Sequence, residues 1–338
     1  MRYDTSAIHP WYDIRFSFSM HYIPDELWIM IFRLVCLDGG TTGRRLSLVS
    51  KYIHEVSKPV KFQSIILRGF NETVAFLSLL RATPQHHRCI YHLFVYEDCG
   101  CYTLHRSLTA PLNRILLIVG PALRTLAIRF DHSLTRPLFP LSLPVLEELT
   151  IFSASDEYVL PYTEPIKPLP CLKRIHYAGR FAQHGGAMFS KLCEMAPNFT
   201  HFRYTGLKAL NEVIRQLEAV SGWGRQSSSQ FITLNASARL PSTVVTIIMQ
   251  EETEGWYNDV SHFPQMMDVL RRRGRERGVV VAVLPPVAAR VYCRGWEMKA
   301  EWLDRIGGGQ GCWCETSESS VIQSHCFELL ADIDVAIG

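Results

Sequence analysis

One short pattern constrains this chain more than any other: apolar, two residues, apolar, one residue, apolar. It reads Ile90-x-x-Leu93-x-Val95, Leu123-x-x-Leu126-x-Ile128 and Leu146-x-x-Leu149-x-Ile151, then Leu172-x-x-Ile175-x-Tyr177 and Phe199-x-x-Phe202-x-Tyr204. Weaker copies stand at Phe62-x-x-Ile65-x-Leu67 and Phe231-x-x-Leu234-x-Ala236. The central positions 93, 126, 149, 175 and 202 are 33, 23, 26 and 27 residues apart. The last two apolar positions of each copy are spaced by two, so both side chains fall on one face of an extended strand.

Between copies the apolar period turns helical: Val74, Leu77 and Leu80; Leu108, Leu112, Ile115 and Leu116; Ala187 to Met195; Leu207 to Val220; Met266 to Arg273. A short strand followed by a helix cannot bury its apolar face alone. Stacked units can, and a step of about 20–29 residues is that of leucine-rich repeats. The copies lack the asparagine that regular repeats place after the strand. The expected fold class is therefore α/β: an irregular leucine-rich-repeat-like solenoid of parallel strands and helices over residues 63–290. Leu126, Ile128, Leu149, Ile151, Ile175 and Tyr177 should point from neighbouring parallel strands into one core. The opposite face would form a single concave surface of Phe94, Tyr96, Ala127, Arg129, Thr150, Phe152, His176, Arg203 and Asn235.

Two helices are expected ahead of this array. After Ile23-Pro24-Asp25-Glu26 come Leu27, Met30, Ile31, Leu34 and Val35, one face of a helix by their spacing. Pro24 suits a helix start, and Asp25 and Glu26 suit the first turn. Asp38 to Gly43 breaks the helix, and Leu46, Val49, Ile53 and Val56 predict a second one, ended by Pro59. Residues 14–22 alternate apolar and polar, an extended arm laid on an apolar surface. After the array, GVVVAVL (278–284) reads as a buried strand. Trp296, Ala300, Leu303 and Ile306 predict a helix stopped by Gly307-Gly308-Gly309, and a short helix is expected around Phe327 to Ile333. The organisation is then an arm (1–21), a helical unit (22–62), the array (63–290), and a C-terminal helix and tail (291–338).

Ile23-Pro24-Asp25-Glu26-Leu27 through Ile31-Phe32, followed by Leu46-Ser47-Leu48-Val49-Ser50-Lys51, resembles an F-box. That family opens with a Leu-Pro or Ile-Pro pair and an acidic residue, then an apolar helix. A second helix follows, bearing a Leu-x-x-Val-(Ser/Cys)-(Lys/Arg) string. Phe62 is the nearest aromatic to the tryptophan that the family commonly carries. The resemblance covers about forty residues, a length that rarely folds unaided. An F-box followed by degenerate leucine-rich units also resembles a large group of fungal F-box proteins. The resemblance implies a non-catalytic substrate-recognition adaptor of a cullin–RING ubiquitin ligase. Ile23, Pro24, Leu27, Ile31, Leu46, Leu48 and Val49 would face the Skp-type adaptor. The alternative for these residues is that they fill the chain's own core. The target, a protein, would sit on the array at Phe94, Tyr96, Arg129, Phe152, His176 and Arg203. These are aromatic and cationic types common at binding hot spots, and the arginines suit an acidic or phosphorylated partner. The alternative reading is a leucine-rich interaction or scaffold protein with no ligase role.

Composition narrows the other classes. A net charge of +3 argues for neither a nucleic-acid nor a membrane partner. The most apolar stretch, 112–130, is broken by Arg114, Pro121, Arg124 and Arg129, and a span needs roughly 20 mostly apolar residues. The first residues lack the apolar core of a secretory signal, so a cytoplasmic or nuclear site is expected. Ten scattered cysteines without a C-x-x-C pair predict reduced thiols. Cys99-x-Cys101 with His105, and Cys312-x-Cys314 with His325 and Cys326, have single-residue spacers that suit zinc poorly. No metal or other cofactor is expected. Arg271 to Arg277 reads as a solvated, cationic helix end rather than a nucleic-acid patch. Gly39 to Arg44 lacks the Lys-(Ser/Thr) of a phosphate loop, and no G-x-S-x-G or H-E-x-x-H is present. An enzyme is therefore not expected.

Overall fold

The computed structural model describes residues 23–97, 108–130, 141–153, 167–179, 188–206, 217–218, 220–222, 239–253, 263–288 and 295–314. The arm, the segment from 207 to 216, Asn235, the copy at Phe231, the Cys99–His105 cluster and the tail beyond 314 lie outside these residues. Eight strands are described: β1 (Ser64–Arg68), β2 (His92–Tyr96), β3 (Thr125–Phe130), β4 (Glu148–Ser153), β5 (Arg174–Gly179), β6 (His201–Gly206), β7 (Thr246–Thr253) and β8 (Val280–Ala288). They form one sheet in sequence order, and every pairing is parallel. The described residues are thus α/β with an eight-stranded parallel sheet.

The register follows the apolar pattern. Ile65, Leu93, Leu126, Leu149, Ile175, Phe202, Ile247 and Val281 are successive partners across all eight strands. Their side chains are buried in one continuous core. Leu67, Val95, Ile128, Ile151, Tyr204 and Met249 enter the same core two residues on, with Tyr177 and Val283 packed against it. Tyr177 and Tyr204 stack, with ring centroids 6.2 Å apart. The seventh unit is Val244-x-x-Ile247-x-Met249, which the sequence reading missed because it follows Phe202 by 45 residues.

Among the described residues, α4 (Gly69–Ala82), α5 (Thr109–Val119), α6 (Met188–Met195) and α7 (Phe263–Glu276) close the core from this side, with Leu217 and Val220 beside them. Helix α5 presents the expected Leu112, Ile115 and Leu116, whereas α4 buries Leu77 and Leu80 with Phe76 and leaves the expected Val74 exposed. Burial of each such side chain stabilises by roughly 1.5–3 kcal/mol. The arginine run ends α7, where Arg271 pairs with Asp268 and Arg277 donates to the Ser221 carbonyl.

The N-terminal unit holds three helices, α1 (Asp25–Val35), α2 (Thr41–Val49) and α3 (Lys51–Ser57). A single second helix was expected where α2 and α3 lie. Ser50 divides them: its backbone is extended, and its hydroxyl accepts from the Ile53 amide to cap α3. Asp38 bonds the Thr42 amide and hydroxyl at the start of α2. Gly39 has φ 76° and donates to Ser64 Oγ, and a Cβ there would lie 2.3 Å from Ile66 Cδ1. The glycine loop therefore brings backbone onto β1, and Ile66 donates to the Gly39 carbonyl.

Helix α8 (Gly295–Ile306) crosses to the other face of the sheet, followed by a tight turn at Gly311–Trp313. It ends as expected at Gly307-Gly308, with Gly308 at φ 100°. No helix among the described residues is long and apolar enough to cross a membrane.

Candidate functional sites

The stripe of α1 that gave the clearest helical period points outward. Leu27 is 49% exposed, Met30 60%, Ile31 44% and Leu34 77%. Leu48 and Val49 at the end of α2 are 86% and 59% exposed, and Ile23 and Pro24 are exposed as well. The inner side of α1 is a second apolar face. Phe32 and Cys36 are buried with Ile53, Val56 and Val60, and Trp28, Ile29, Leu46 and Tyr52 pack around them. Trp28 stacks on Phe32 at 5.4 Å between centroids, and Tyr52 donates to Asp25 Oδ1 at 2.7 Å. Of the seven residues expected at an adaptor surface, only Leu46 belongs to the internal packing. The alternative that all of them fill the chain's own core does not describe their placement. Single exposed apolar residues are ordinary; here they stand in a row on one helix.

The sheet face expected to hold a target is covered by α8. Phe94 and Phe152 are buried with Ala127, Ala178, Met298 and Trp302, and Tyr96 lies half-buried at the edge of this cluster. Phe94 and Trp302 have centroids 5.6 Å apart. Arg129 is buried, its guanidinium 5.2 Å from the Phe152 ring centre. Arg203 Nη2 donates to Gln250 Oε1 at 2.6 Å, its Nε donates to Thr205 Oγ1, and its Nη1 donates to the Cys312 carbonyl. His176 is buried beside Thr205, and its ring meets Trp313 edge-on. Five of the six expected target residues are therefore beneath the chain's own C-terminal segment, and the sixth borders it.

Ionic contacts fasten that segment. Glu148 Oε1 accepts from Arg174 at 2.6 Å and from Arg305 of α8 at 2.5 and 2.6 Å. Asp304 Oδ2 accepts the Gly311 amide. A cavity of about 30 Å³ lies between the sheet and α8, walled in part by Thr125, Thr150, His176, Glu301, Trp302 and Trp313. Burial raises the Glu301 carboxyl above its ordinary value, and the Arg203 guanidinium partly offsets this. Burial, with Arg203 adding to it, holds His176 well below 6.5 and therefore neutral. Burial also pushes the Cys312 thiol up to about 12, so it is an inert thiol rather than a nucleophile. Among the described residues, no three His, Cys, Asp or Glu side chains gather as metal ligands.

The covering helix has a signal in the sequence. Strands β2–β5 carry apolar residues at the alternate positions too, Phe94, Ala127, Phe152 and Ala178. Strands apolar on both faces are covered on both faces. No family model, no curated protein and no solved structure matches this chain.

Proposed function

We propose that this protein is a non-catalytic, substrate-recognition adaptor of a cullin–RING ubiquitin ligase. In this reading α1–α3 form an F-box that docks the Skp-type adaptor, and the sheet with its helices is an irregular leucine-rich-repeat array that holds a target protein. The observation that carries the reading is the double-sided α1. Phe32 and Cys36 anchor the helix inward, while Leu27, Met30, Ile31 and Leu34 stay exposed in a row. That row begins in the Ile-Pro-Asp-Glu-Leu start of the family the chain resembles, and Leu48 and Val49 of the Leu-x-x-Val-Ser-Lys string are exposed as well. The sequential pairing of β1 to β8, with helices returning on one side, supports the repeat reading. Such a protein makes and breaks no bonds; it contributes proximity and orientation.

The test is co-purification with the Skp-type adaptor. The native chain should bind, and Pro24→Ala with Leu27→Ala should abolish binding without unfolding, because both positions are exposed. A folded double variant that still binds removes α1 as the docking surface. A native chain that never binds leaves the sheet as an interaction scaffold without a ligase role.

A further inference from the structure

The two faces of the sheet are built differently. The side under α4–α7 is mainly aliphatic and aromatic, with Thr73 and Thr109 buried at its helices. The side under α8 mixes rings with buried Arg129, His176, Arg203, Thr205 and Gln250. Aromatic, methionine and arginine anchors set among polar groups are typical of contacts between separable partners. The helix meets the sheet through Met298 and Trp302, with Leu303 and Ile306 packed beside them. Met298, Glu301, Trp302 and Arg305 stand at the i, i+3, i+4 and i+7 positions. Met298 and Trp302 fill the aromatic cluster, Glu301 lies in the field of Arg203, and Arg305 reaches Glu148.

We propose that the sheet face across β2–β6 is a helix-binding groove, that α8 is its resident occupant, and that an amphipathic helix of another protein bearing the same four-point face replaces it. The incoming helix offers two large apolar side chains four residues apart, a carboxylate just before the second and a guanidinium about one turn later. Glu148 admits a cation at that last point and repels an acid, which supplies discrimination as well as affinity. The tethered α8 competes at a high effective concentration, so a partner's apparent affinity falls by the fraction of chains that are open. The proposal rests on this face alone and stands whether or not α1 docks a ligase.

A labelled peptide of residues 295–314 is the probe, read by fluorescence anisotropy against the full chain. Trp302→Ala with Arg305→Glu opens the groove. The opened chain is expected to bind the peptide at least about 100-fold more tightly than the native chain does, the native groove being occupied. The same peptide carrying Trp302→Ala is expected not to bind. An opened chain with intact secondary structure that does not bind the native peptide overturns the proposal. Should that variant fail to fold, hydrogen exchange on the native chain decides. Amides of α8 are expected to exchange about 100-fold faster than those of β3–β6 through local opening. Release of α8 amides only together with the sheet amides overturns it.

Discussion

Phe32 and Leu34 sit two residues apart on α1 and face opposite worlds. Phe32 is buried against Ile53 and Val56, whereas Leu34 is 77% exposed. Phe32→Ala should cost about 3–5 kcal/mol through the cavity it leaves. Leu34→Ala should stay within about 0.5 kcal/mol. Urea unfolding of the two variants checks the split, and equal losses would mean that the outer stripe is packed. Histidine gives a second residue-scale test. Burial, with Arg124 adding to it, pushes His92 from 6.5 down to about 4. His176 shifts in the same direction. The folded chain then binds fewer protons than the unfolded one, so stability is full above the unfolded value and falls as the pH drops toward the folded value. His92 alone should remove about 2 kcal/mol between about pH 7 and about pH 5. Unfolding midpoints at the two pH values should differ less for His92→Asn than for the native chain. An unchanged difference would assign the acid loss to other groups.

At the scale of elements, strands and helices of the array were legible because their periods are two and 3.6 and their anchors are large. Units at Leu93, Leu126, Leu149, Ile175 and Phe202 form the ladder that their spacing predicts. Two things were not legible. The unit at Ile247 follows a longer connection than any step before it, so a regular spacing passed over it. The landing place of α8 depends on contacts such as Glu148 with Arg305, 157 residues apart, which no local period encodes. The same limit applied to the candidate sites. The sequence identified the α1 stripe but not which way it faces, and the sheet-face residues but not what lies over them. Ser50 lies among apolar residues at helical spacing, a pattern of helix interior, yet its hydroxyl caps α3. Ser50→Ala should cost about 1 kcal/mol, and Ser50→Asp should keep most of it, because a carboxylate caps equally well. Thermal melts of the pair check this; equal losses would show that the cap contributes nothing.

At the scale of the molecule, each described strand bonds only its sequence neighbours in the sheet, and in the proposed repeat reading cooperativity passes from unit to unit. A large-to-small change in the middle should therefore spread further than one at an end. Leu149→Ala should cost about 2–5 kcal/mol and lower amide protection on both sides of β4. Val281→Ala should lower it in β8 and β7 and leave β2 unchanged. Exchange measured residue by residue separates the two patterns, and uniform loss in both variants would indicate a single indivisible unit.

The joint between the helical unit and the sheet has its own consequence. Only residues 58–63 separate α3 from β1, and they are tied by turns at Val60, Lys61 and Gln63. Gln63 donates to the Arg33 carbonyl at 2.5 Å, Ser64 donates to the Cys36 carbonyl at 2.9 Å, and the Gly39 backbone rests on β1. A joint stitched this closely works as a bracket rather than a tether. In the proposed reading, whatever α1 docks and whatever the sheet holds are set at one distance and one angle, so reach is a property of shape. Only those groups of a cargo that fall within the arc fixed by the bracket would then be presented to a neighbouring machine, and adding a few flexible residues at 58–63 would widen that arc at the expense of aim.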